Sequence, residues 1–141
     1  YKTVAPDALK GMYAANAYFD RCSVAQPLRR LVELRVSQIN HCSYCMWLHA
    51  RQMRELGEAE AKIAAVEQWP GSEAFSSAER AALAWTEAVT RIPEGTPSDD
   101  CYAALRRHFD ERQSVDLTAI AANMNALNRI AVSMRLEAPH K

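Results

Sequence analysis

The chain has 141 residues, of which 49% are hydrophobic, and carries 17 basic against 17 acidic side chains. That size and apolar fraction suit one domain, 1–141, with its own core, and exclude wholesale disorder. Zero net charge argues against a sequence-independent nucleic-acid surface or an anionic-membrane surface, and four glycines among many alanines favour helices over sheets.

In chain order, Val4 to Cys22 reads as a first helix, with Pro6 near its start and Asp7 in its first turn. Pro27 opens a second, in which Leu28, Leu31, Val32 and Ile39 recur at helical spacing. A third runs from about Cys42 to Leu56 and stops at Gly57, a good residue for a left-handed helix end. Glu58 to Trp69 is a fourth, closed by Pro70-Gly71. Ser76-Ser-Ala-Glu79 matches a capping box, and Ala78, Ala81, Trp85, Ala88 and Ile92 follow one face beyond it. Ser98-Asp-Asp100 caps a shorter helix carrying Tyr102, Leu105 and Phe109. The last helix is expected from Ser114 to about Leu136, with a buried stripe of Leu117, Ile120, Ala121, Met124, Leu127, Ala131 and Met134. No segment alternates with period two, so the prediction is an all-α bundle of six to seven helices. Alanine-rich stripes permit close helix approach, and a homo-oligomer is expected to complete their burial.

No apolar run approaches the roughly 18–20 residues that span a bilayer. Tyr1 to Asp7 lacks a basic stretch followed by an apolar one, so no secretory signal is read and a thiol-reducing cytoplasm is expected. In that setting a C-x-x-C is more often catalytic or metal-binding than a structural disulfide. Cys22 and Cys101 stand alone and read as small core fillers.

The chemistry is concentrated in Ile39-Asn-His-Cys-Ser-Tyr-Cys-Met-Trp-Leu-His49. At about 100° per residue, Cys42, Cys45 and His49 fall within roughly 60° of one helix face. Cys45, in the first turn, would feel the free amides and the positive end of the helix dipole, which favour a thiolate. His49, one turn on, is placed to take or relay the proton. Redox chemistry is preferred over plain core packing and over zinc, since a closed zinc site needs four ligands and only one cysteine pair exists here. His41 could reach such a site only by swinging in from the other side of Cys42. A thioredoxin fold is disfavoured because its C-x-x-C sits in a βαβ context. Glu33 is the obvious acidic partner, but in an uninterrupted helix it would lie about 180° from Cys42. A chain break near Asn40-His41 is therefore predicted; the alternative for Glu33 is a surface ion pair with Arg29, Arg30 or Arg35.

The stretch Glu33 to His49, followed by Arg54-Glu-Leu-Gly57, resembles the core of the AhpD-like alkylhydroperoxidases of the carboxymuconolactone decarboxylase superfamily. The likeness continues through Phe75 to Glu87 and Asn125-Ala-Leu-Asn-Arg129. It implies an all-helical fold assembling as trimers or hexamers, and a peroxide- or disulfide-reducing activity. By the same resemblance Cys45 matches the peroxidatic cysteine, Cys42 the proton donor and resolving partner, and His49 the relay histidine. Two positions depart from the pattern. Tyr44 stands where the best-studied members have histidine, and Arg30 stands at their relay glutamate, with Glu33 one turn further on. Tyr44 could hydrogen-bond a peroxide oxygen or the thiolate, or pack as an aromatic. Decarboxylase members lack the paired cysteines, which argues against lactone decarboxylation.

The expectation is a thiol-dependent peroxidase or disulfide reductase. It carries no flavin, haem or nicotinamide motif, binds no cofactor or metal, and draws on an external lipoyl, thioredoxin-like or small-thiol reductant. The rivals are a non-catalytic helical assembly or zinc-binding protein, and an acid–base enzyme acting on a lactone or other carbonyl through His49 and Glu33. Asn128 is expected to bond a loop backbone. Trp47 and Trp85 are read as core or interface residues, and Arg106-Arg-His108 as a solvated face.

Overall fold

The computed structural model describes residues 2–140, and among these there are seven α-helices, three short 3-10 turns and no strand. Tyr1 and Lys141 lie outside the described residues. Pro6 starts a 3-10 turn, Pro6–Leu9, that runs into α1, Lys10–Phe19. The helix ends three residues before the expected Cys22 because Asp116 captures the connecting loop. Its carboxylate accepts from the Ser23 amide at 3.0 Å, the Ser23 hydroxyl at 2.6 Å and the Tyr18 hydroxyl at 2.7 Å. Those bonds replace the backbone partners that another helical turn would have supplied.

Helix α2, Gln26–Ile39, has Pro27 in its first turn, where the missing N–H costs nothing. It packs against α3, Ser43–Glu55, against α5, Ser77–Thr90, and against α7, Glu111–Ser133. Being enclosed on three sides, it buries Arg29, Glu33, Arg35 and Ser37 as well as its apolar residues. Two apolar clusters meet on it. Leu31 and Leu34 join Met53, Val66, Trp69 and Leu83. Val32 and Val36 join Cys42, Cys45, Leu117, Ile120, Ala121 and Met124. The thiol pair thus belongs to the second cluster, between α2 and α7.

The predicted break is present. Helix α2 stops at Ile39, and His41 takes a left-handed φ of 55°. The Cys42 amide donates to Ser37 O at 3.0 Å and the His41 amide to Gln38 O at 3.2 Å. This is the Schellman pattern of crossed bonds that closes a helix. Gly57 (φ 86°) ends α3 in the same way, with Glu58 N donating to Met53 O at 3.1 Å. Helix α4, Glu60–Ala65, is shorter than expected and passes into a 3-10 turn, Val66–Gly71, kinked at Gln68 before Pro70.

The capping box at Ser76 and Glu79 forms as predicted. Ser98 caps α6, Asp99–His108, by accepting from the Cys101 amide. The start of α7 lies three residues before Ser114, because Asp110 and Gln113 form a second capping box. Ile92 and Met134 leave the predicted stripes and are exposed, since α5 and α7 end before them; Tyr102 is exposed on α6. No helix among the described residues is long and apolar enough to cross a membrane.

Candidate functional site

The Schellman turn aims the chain so that Cys42 becomes the N-cap residue of α3. Its sulfur accepts from the Cys45 amide at 3.4 Å, taking the place of the usual oxygen cap. The helix-start amide therefore stabilises Cys42, not Cys45 as the sequence reading expected. All four cysteines are free thiols; Cys42 is 1% and Cys45 5% exposed, while Cys22 and Cys101 are only half-buried. Cys45 lines a cavity of about 280 Å³, and Cys42 lies outside its wall.

The two thiols share their protons unequally. The Cys45 thiol hydrogen-bonds the Cys42 sulfur and, against the opposing effect of burial, helps lower Cys42 to about 7. The Cys45 and Tyr44 amides and the Asn128 side chain add to that effect. The same bond to Cys42, with burial and the Cys42 charge, pushes Cys45 upward. When the pair gives up a proton, the charge therefore settles on the buried Cys42 sulfur, while Cys45 stays a thiol facing the cavity.

Burial, opposed by the Glu33 charge, holds the His49 imidazole below its ordinary value, so the ring is neutral at pH 7. Its Nδ1 lies 2.8 Å from Gln52 Oε1 and 3.3 Å from Glu33 Oε2, and its Nε2 lies 3.1 Å from Met124 Sδ. Two oxygen acceptors beside Nδ1 place the proton there. Glu33 is 4% exposed and reaches the site as predicted, but it also makes the predicted ion pairs. Arg29 Nε donates to its Oε1 at 3.0 Å and Arg30 Nη1 to its Oε2 at 2.8 Å. Glu33 is thus buried beside His49, as the relay reading needs, and its ion pairs with Arg29 and Arg30 are buried rather than the surface pair of the alternative. Tyr44 lines the cavity and packs on Trp47 with ring centroids 5.7 Å apart. His41 is exposed at the turn. Among the described residues no three His, Cys, Asp or Glu side chains come together as a metal site.

Asn128 bonds side chains of the α2 end rather than the loop backbone that was expected. It is fully buried; its amide nitrogen donates to Ser37 Oγ at 3.2 Å, and its oxygen accepts from Asn40 at 3.1 Å. The same side chain acts on both thiols, favouring their charged forms. Gln52, Asn128 and Met124 are the site residues the sequence reading did not assign. Only Gln52 had a local signal, three residues after His49 on one helix face. Trp47 is half-buried, Trp85 donates to Thr118 Oγ1 at 2.9 Å, and Arg106, Arg107 and His108 are exposed.

The helical bundle with a C-x-x-C at a helix start over a cavity defines an AhpD-like protein. The chain belongs to the carboxymuconolactone decarboxylase family, whose model matches residues 5–88. It is 36% identical over 141 residues to the uncharacterized protein YdfG of Bacillus subtilis, spanning 100% of this chain and 96% of that one. It is 32% identical over 111 residues to the uncharacterized protein YnjA of Escherichia coli, covering 79% of this chain and 60% of that one. A solved structure from Agrobacterium tumefaciens, of a protein of unknown function provisionally named as the antioxidant defence protein AhpD, superposes with a TM-score of 0.97. It is 33% identical over 100% of this chain and 97% of its own. The debrominase Bmp8 shares the fold, with a TM-score of 0.85 at 22% identity over 95% of this chain and 72% of its own.

Proposed function

We propose that the protein is a thiol-dependent peroxidase, reducing hydroperoxides through Cys45 and Cys42. The observation that carries this reading is the pair itself: two free thiols sharing one readily lost proton, with Cys45 in the wall of a cavity. The family membership and the AhpD-like neighbour support it.

The Cys42 thiolate takes the proton of Cys45 as the hydroperoxide enters. The Cys45 sulfur attacks the distal oxygen and the O–O bond breaks. Cys45 becomes a sulfenic acid, and the departing alkoxide leaves as an alcohol with the proton that Cys42 held. The Cys42 sulfur then displaces hydroxide from the sulfenic acid, giving a disulfide and water, the hydroxide taking a proton from solvent. Two electrons and two protons from an external lipoyl, thioredoxin-like or small-thiol donor restore the dithiol. His49, neutral and held by Glu33 and Gln52, carries protons between this cavity and solvent. Tyr44 orients the peroxide oxygen through its hydroxyl.

Peroxide consumption with dihydrolipoamide tests the assignment. Cys45→Ser and Cys42→Ser should each lose at least about 100-fold in turnover, and His49→Ala about 10- to 100-fold. Wild-type turnover in Cys45→Ser would end the proposal, and activity on lactones surviving in the double cysteine variant would favour acid–base chemistry. The reading includes a trimer or hexamer, supported by the exposed apolar residues Val115, Val132 and Met134 on α7 and at its end. Native mass spectrometry should show three or six copies; a monomer at micromolar concentration would reject that part.

A further inference from the structure

The cavity beside Cys45 has a charged side that peroxide reduction by itself does not require. Lys2, Arg29 and Arg30 face it, together with the carboxylates of Asp20 and Glu33. Their donors and acceptors are unevenly committed. Arg29 is 2% exposed and bonded to Glu33, Asp20, Gln26 and Asn16. Glu33 has Arg29 on one oxygen, and Arg30 and His49 on the other. Its charge is therefore matched from within the protein.

Arg30 differs. Among the described residues it makes one hydrogen bond, from Nη1 to Glu33, and its side chain is 16% exposed where it lines the cavity. Its Nε and Nη2 donors are left for an occupant. Lys2 adds a second positive charge, its ammonium 5.7 Å from the Tyr44 ring centroid and 5.9 Å from that of Tyr13. Helix α7 lines the same cavity with Leu127, Ala131 and Met124. An open guanidinium fork matches the planar oxygens of a carboxylate, and an apolar wall matches a short hydrocarbon.

We propose that this cavity binds small aliphatic hydroperoxides that carry a carboxylate, with Arg30 holding the carboxylate and Cys45 meeting the peroxide. This rests on the peroxidase reading for the chemistry, but the anion site stands on its own geometry. Reduction would cleave the O–O bond and release the hydroxy acid, with electrons supplied by the thiol pair and then by the external dithiol.

Two measurements separate the claims. In the first, 4-methylpentanoate and 4-methylpentanamide are titrated into the reduced protein and followed by NMR of backbone amides. The acid should bind about tenfold more tightly than the amide. Arg30→Gln should abolish the difference and Arg30→Lys retain part of it. Equal binding of acid and amide to the wild type, no binding of either, or an undiminished preference in a folded Arg30→Gln overturns the proposal. The second compares kcat/KM for 4-hydroperoxy-4-methylpentanoate and its methyl ester, with tert-butyl hydroperoxide as the neutral control. The acid should be favoured by a similar factor, and equal kcat/KM for acid and ester overturns the proposal. Turnover of none of the three, with acid binding intact, would remove the peroxidase reading and leave the anion site.

Discussion

Asn128 sits on α7 with its oxygen bonded to Asn40 and its amide nitrogen to Ser37, 88 and 91 residues away in sequence. Fixed from both ends, its amide acts on the thiols and helps hold Cys42 near 7. A hydrogen bond to a charged group contributes roughly 1.5 kcal/mol, or about one pH unit in a midpoint. The pH dependence of iodoacetamide alkylation of the pair should therefore show a midpoint near 7 in the wild type. In Asn128→Ala it should move toward about 8. The sign is fixed by the charge: a lowered thiol is reactive above its midpoint and loses reactivity as pH falls through it. A midpoint unchanged by the substitution would leave Asn128 with a packing role only. The grouping of Cys42, Cys45 and His49 was legible in the sequence because Cys42 caps the helix that carries the other two, one turn apart. Asn128 was not, since its partners come from another helix. Nor was the direction of proton sharing, because spacing does not reveal which sulfur the Cys45 amide meets.

At the scale of the helices, the junction between α2 and α3 does most to build the site. A straight continuation would have sent Glu33 and Cys42 to opposite faces, and the His41 turn brings Glu33 to the same cavity as Cys45 and His49. The need for a break could be inferred from that angular mismatch. Its form could not, because His41 replaces the glycine that usually marks a left-handed helix end. The ordinary signals behaved as written: Gly57 ends α3, and Ser76 with Glu79 starts α5. The start of α7 was also written in the sequence, as Asp110-x-x-Gln113. The apolar stripe drew the reading three residues too far along. The early end of α1 had no local signal, since the Asp116 carboxylate that captures Ser23 lies 93 residues on.

Across the whole molecule, the family match ends at residue 88, yet the cavity and the thiols depend on α7, which follows it. Cys42 and Cys45 lie between α2 and that last helix, so the thiol pair is held by elements far apart in the chain. Cys22 and Cys101 are set apart from them, half-buried and outside that cavity wall. If Cys42 and Cys45 are the reactive pair and Cys22 and Cys101 bystanders, a count of thiols across one round of oxidation shows it. The reduced, folded protein is treated with one equivalent of tert-butyl hydroperoxide, free thiols are counted before and after under denaturing, non-reducing conditions, and the lost pair is located by peptide mass mapping. Two thiols per chain should disappear, joined as a Cys42–Cys45 disulfide, while Cys22 and Cys101 remain free. Four thiols surviving the equivalent of peroxide, or a loss confined to Cys22 or Cys101, would contradict it.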